Sequence, residues 1–102
     1  MSGNESSILL DLNYPPFQES LFDLDVSDLK KVQKTLKKVM SLSWNELFKD
    51  NGIKWEAVKS MPESKIFSIR LSQSYRALVV REDRFMRFME LYRDHDAAYG
   101  KK

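Results

Sequence analysis

Residues 65–92 fall into three consecutive strand-like stretches joined by short turns, and this pattern restricts the fold more than any other feature. In Lys65-Ile66-Phe67-Ser68-Ile69-Arg70-Leu71, the side chains of Phe67, Ile69 and Leu71 share one parity while Ser68 and Arg70 take the other. Successive side chains of a strand point to opposite faces, so the stretch reads as a half-buried strand. Ser72-Gln73-Ser74 supplies a turn, and residues 75–82 read as the next strand. With 72–74 as the loop, Leu71 faces Tyr75 and Arg70 faces Arg76. Like charges directly opposite are destabilising unless an anion offsets them, so this register is either wrong or functional. Glu82-Asp83-Arg84 turns the chain again. Residues 85–92 are apolar at both parities, as expected of a central strand covered on both faces.

Upstream, the period changes. Leu29, Val32, Leu36, Val39 and Met40 recur at three- and four-residue steps, which predicts an amphipathic helix capped by Asp25 or Ser27. Lys30, Lys31, Lys34, Lys37 and Lys38 fill its other sides. Ser43 and Glu46 have the spacing of a capping box and predict a second, short helix, with Asn51-Gly52 ending it in the left-handed conformation. Ile53 to Met61 reads as a turn of helix or an irregular link. Ser20 to Asp25 suggests a first strand. Residues 1–18 are read as a flexible leader ending near Pro15-Pro16 and docked through Ile8-Leu9-Leu10. The expectation is an α+β domain over 19–102: an antiparallel four-stranded sheet with two N-terminal helices on one face, in the order β-α-α-β-β-β.

Charge is unevenly distributed. Residues 1–26 carry five acids and no base, whereas 27–102 carry seventeen bases against ten acids, giving the net +2. All six arginines fall between Arg70 and Arg93, with no lysine among them, and the lone histidine, His95, follows. The guanidinium is a permanently charged planar fork that matches phosphate. A basic domain of this kind suits a polyanion. Without cysteine the chain has no disulfide framework and no thiolate metal site. No apolar run is long enough for a membrane span, so the expected location is the cytoplasm. No glycine-rich phosphate loop or Gly-x-Ser-x-Gly elbow occurs, and one histidine is too few for a metal phosphohydrolase site. No cofactor and no metal are therefore expected.

Ile69-Arg70-Leu71-Ser72-Gln73-Ser74-Tyr75-Arg76-Ala77-Leu78-Val79 and Arg93-Asp94-His95-Asp96-Ala97-Ala98-Tyr99 resemble the RelE/ParE superfamily of bacterial toxins, over roughly residues 19–99. The resemblance implies a type II toxin–antitoxin toxin held inactive by a cognate antitoxin. RelE-like members cut messenger RNA on the ribosome without a metal ion, and ParE-like members poison DNA gyrase instead. In RelE-like toxins a basic residue ends the second strand just before the hairpin, where Arg70 stands. An arginine after an aromatic opens the next strand, as in Tyr75-Arg76. An arginine closes the last strand six residues before a tyrosine, as Arg93 and Tyr99 do. Other branches place a histidine near this end of the sheet, a role His95 could fill. Some relatives carry a further base where this chain has Ser68, and Lys65 has the wrong parity to replace it.

The chemistry implied is attack of a 2′-hydroxyl on the adjacent phosphorus, with charge developing on phosphate oxygens. Arg70 and Arg76 are assigned to that charge with Arg93 as a third contact, since preorganised cations act most strongly there. His95 is suited to proton transfer, with Tyr99 or Asp96 as its complement. Lys30, Lys34, Lys37, Lys38 and Lys54 are the expected RNA contacts outside the centre. The ordinary alternatives are a solvated lysine face, arginines paired with acids, and a capping histidine. A gyrase-binding toxin and a basic RNA-binding module remain as alternative functions.

Overall fold

The computed structural model describes residues 7–58 and 65–93. In chain order these form β1 (Leu9–Asp11), α1 (Pro15–Phe22), α2 (Val26–Met40), α3 (Trp44–Lys49), β2 (Glu56–Ala57), β3 (Ile66–Arg70), β4 (Tyr75–Glu82) and β5 (Phe85–Arg93). The strands make one five-stranded sheet in the order β1-β5-β4-β3-β2. Its β1–β5 pair is parallel and the other pairs are antiparallel. The expected four-stranded antiparallel sheet with two helices is thus corrected to a mixed five-stranded sheet with three helices. None of the described helices is long and apolar enough to cross a membrane.

The difference arises at the N-terminal end. Ser20 to Asp25 is not a strand, because it contains the last turn of α1 and the cap of α2. Pro15 and Pro16 stand at the first positions of α1, where a missing N–H costs nothing. The first strand is Leu9–Asp11, within the stretch expected to be a flexible leader. Its Leu9 N–H donates to the Arg84 carbonyl at 3.0 Å, and Asp11 pairs with Arg87 at 3.1 Å. Ile8 and Phe17 are fully buried, and the Phe17 ring lies 5.1 Å from that of Phe88. Burying one such ring contributes about 1.5–3 kcal/mol, enough to hold a short segment in place.

The next two helices follow their local signals. The Asp25 side chain accepts the Asp28 N–H at 2.8 Å and opens α2, while Lys37 and Lys38 sit in its last turn, where cations favour the helix dipole. Ser43 and Glu46 form both bonds of the capping box, at 3.2 and 2.9 Å. The end of α3 departs from expectation. Asp50 Oδ1 accepts the N–H groups of Gly52 and Ile53, so the chain turns without a left-handed glycine. The left-handed residue is Lys54, at φ 54°.

The helices deliver Phe17, Leu21, Val32, Leu36, Val39, Trp44 and Leu47 into one core with Ile8, Ile69, Leu71, Ala77, Val79, Met86 and Phe88. Those sheet residues share one face. On β5 the phase is switched by a bulge: Ala77 is opposite Leu91, but Val79 is opposite Phe88. Two residues of β4 therefore span three of β5. This bulge explains why β5 is apolar at both parities. Two-sided burial does not, since Phe85 is exposed and Glu90 points to solvent.

Candidate functional site

The loop 72–74 closes as the residue pattern predicts. The Leu71 N–H donates to the Tyr75 carbonyl at 2.9 Å, and Arg70 lies opposite Arg76 in the register. On the far side of β4, Arg76 is opposite Tyr92. Arg70, Arg76 and Tyr92 thus form a row across three strands, on the face that the core does not use.

The charge conflict within this row is relieved inside the chain. Arg76 is only 9% exposed; its Nη2 donates to Ser68 Oγ at 2.8 Å and to the Lys54 carbonyl at 3.4 Å. The carboxylate of Glu56 lies 3.5 Å from the same nitrogen. Pairing of β2 with β3 sets Glu56 opposite Ser68 and so brings both to Arg76. Ser68, where the resemblance leads one to look for another base, is instead the acceptor that fixes Arg76. Two of the residues that build this row were therefore missed. Glu56 lies in a strand of two residues, too short for any period, and the bulge hides the parity of Tyr92.

Arg70 is half-buried. Its backbone N–H donates to the Ile53 carbonyl at 2.7 Å, and the residue lines a cleft of about 200 Å³ with Thr35, Lys38, Ser72 and Gln73. The half-exposed Lys38 ammonium lies 3.0 Å from Asp50. Burial, the largest influence, pushes the Asp50 carboxyl up. The N–H of Ile53, the Lys38 ammonium and the N–H of Gly52 together outweigh it and hold Asp50 below its ordinary range. Lys30, Lys34, Lys37 and Lys54 are exposed.

Arg93 stands apart from the other two arginines. Its neighbour Tyr92 has the parity of Arg76, so Arg93 points to the opposite face, where its guanidinium lies 5.2 Å from the Tyr75 ring centre. There it lines a cleft of about 470 Å³ with Asp23, Asp25, Asp28 and Tyr75. Carboxylates on that wall attract Arg93 and repel phosphate. His95 and Tyr99 lie outside the described residues. Of the remaining arginines, Arg81 lies over the Trp44 ring at 4.2 Å, and Arg87 pairs with Asp11 and with Glu82 at 2.9 Å. The Asn13 N–H chiefly, then Arg87 against the opposing effect of burial, hold the Asp11 carboxyl below its ordinary range.

No family model matches this chain, and no curated protein matches it. Among solved structures, a copper-bound mutant toxin from Helicobacter pylori is similar, at 19% sequence identity and a TM-score of 0.51. The match covers 87% of this chain and 97% of that one. At that identity the likeness is one of fold.

Proposed function

We propose that this chain is the toxin of a type II toxin–antitoxin pair and a metal-independent endoribonuclease that cuts messenger RNA on the ribosome in the cytoplasm. The observation that carries the reading is the row Arg70, Arg76, Tyr92 at the end of the sheet where β5 runs out into Arg93. The fold likeness to a bacterial toxin over nearly the whole of both chains supports it.

In this reading Arg70 contacts the scissile phosphate. Arg76, held by Ser68 and Glu56, adds its field from behind and keeps the two strands in register. The phenol of Tyr92 stacks on a base or donates to a phosphate oxygen. His95 moves the proton of the 2′-hydroxyl or of the leaving 5′-oxygen, with Tyr99 as its complement. Lys30, Lys34, Lys37 and Lys54 hold the flanking RNA, and a cognate antitoxin covers the centre.

A second reading is a non-enzymatic toxin that binds gyrase. It is favoured by the pairing of Arg76 with Glu56 and of Lys38 with Asp50, which leaves fewer cations for a phosphate. Expression of the chain alone separates the two. The nuclease reading expects growth arrest with shortened messages and intact DNA. Stable messages with DNA breaks and altered supercoiling would replace it with the gyrase reading.

A further inference from the structure

Arg81 shares β4 with Arg76 but serves a different surface. The two are roughly 17 Å apart along the strand at 3.4 Å per residue. Arg81 has the parity of the core residues Ala77 and Val79, so it faces the helix side of the sheet. There its guanidinium carbon lies 4.2 Å from the centre of the Trp44 ring and 6.0 Å from that of Phe48. Trp55 ties these rings to the sheet. It meets Trp44 edge-on at 5.5 Å, lies 5.5 Å from Phe48, and stacks on Phe67 at 4.4 Å. The cluster opens toward solvent: Trp44 is 6% exposed, Trp55 and Phe67 are partly buried, and Phe48 is 44% exposed beside the exposed Arg81. Nε of Arg81 donates to the Asp83 carbonyl at 3.0 Å, and among the described residues no other hydrogen bond or ion pair engages that guanidinium.

We infer that this cluster is a stacking site for an unpaired nucleotide, its base on the outer face of Phe48 and its phosphate on Arg81. Every nucleobase has a π-face that an aromatic ring accepts. Trp44 and Trp55, with ring centres 5.8 and 5.5 Å from that of Phe48, hold the ring in orientation, so little side-chain freedom is lost on binding. The guanidinium is fixed over Trp44 and pinned through Nε, which leaves its Nη edge to meet a phosphate oxygen. Other occupants fit less well. A cationic partner is repelled by Arg81, an apolar one desolvates it, and an acidic peptide leaves the Phe48 ring uncovered. The nucleotide is either free or part of an RNA strand crossing this edge, since the same base and phosphate are recognised in both. The inference stands apart from the cleavage reading, because the cluster lies on the opposite face of the sheet from Arg70 and Arg76.

Trp44 and Trp55 are the chain's two tryptophans, so intrinsic tryptophan fluorescence reads this cluster alone. The full chain is titrated with a 2′-O-methyl oligoadenylate, with AMP, and with an abasic phosphodiester of equal length. The methylated strand has no 2′-hydroxyl to attack phosphorus, so its binding is read whether or not the chain is a nuclease. It should quench the tryptophans saturably, and the abasic strand should leave them unchanged. AMP binding as tightly as the strand assigns the site to a free nucleotide, and a strand at least about tenfold tighter than AMP assigns it to RNA. Phe48→Leu keeps the bulk and loses the ring face; in protein that still folds it should weaken binding at least about fivefold, and Phe48→Tyr should retain it. Arg81→Gln should weaken binding and lower its salt dependence. No quenching by either nucleotide probe, quenching by the abasic strand, or equal affinity in the parent and Phe48→Leu would overturn the inference. So would an oligoglutamate peptide that binds as tightly as the strand.

Discussion

Nη2 of Arg76 lies 2.8 Å from the hydroxyl of Ser68, two residues along β3 from the arginine that faces Arg76 across the hairpin. The bond ties a nearly buried cation to the strand that carries Arg70, and Glu56 supplies the countercharge from β2. Removing the acceptor leaves a desolvated guanidinium under-satisfied. Ser68→Ala should therefore cost about 1.5–3 kcal/mol, the range for hydrogen bonds to charged groups. Urea unfolding of the variant measures this, and an unchanged midpoint would mean that the bond contributes nothing to stability.

Arg70 and Arg76 should separate into an activity residue and a folding residue. Arg70→Ala should lower cleavage of ribosome-bound message by on the order of a hundred- to a thousandfold in protein that still folds. Arg76→Ala should lower the melting temperature as well, because Ser68 and Glu56 lose their partner. His95→Gln is expected to lose less activity than Arg70→Ala. Full activity in Arg70→Ala removes the phosphate assignment.

The N-terminal segment should be integral to stability. Phe17→Ala empties a site against Phe88 and should cost about 3–5 kcal/mol, as for other fully buried rings. Thermal unfolding followed by circular dichroism reads the loss. A variant as stable as the parent would show that 7–18 merely lies on the domain.

The capping box offers a smaller, local test. Ser43→Ala removes the acceptor for the Glu46 N–H and should destabilise the chain by about 1 kcal/mol. Ser43→Asp should restore most of that loss.

Acid should weaken the fold partly through Asp50 and Asp11. Both carboxyls are held below their ordinary range, so below that range the unfolded chain binds protons that the folded chain resists. Their contribution is fully present above the ordinary carboxylate value and is lost as pH falls through the depressed folded values. Asp50→Asn should lower stability at neutral pH and flatten its decline into acid. A parallel downward shift of the whole curve would assign the effect to the amide bonds of Gly52 and Ile53 rather than to the charge.

What the sequence determined by itself is local. The caps Asp25 and Ser43, the apolar face of α2 and the register that sets Arg70 against Arg76 each depend on residues within a few positions of one another. Loop length and side-chain period suffice to specify them. Tertiary structure alone decided the rest. Leu9–Asp11 carries too few residues to show a period, and it becomes a strand because β5 offers it an edge some seventy-six residues away. Glu56 reaches Arg76 only because two short strands happen to pair. Arg93 is separated from Arg70 and Arg76 by parity across β4 and β5, which depends on where a bulge falls. Each of these is a pairing between distant segments, whose free energy comes from burial and hydrogen bonds that no local window contains.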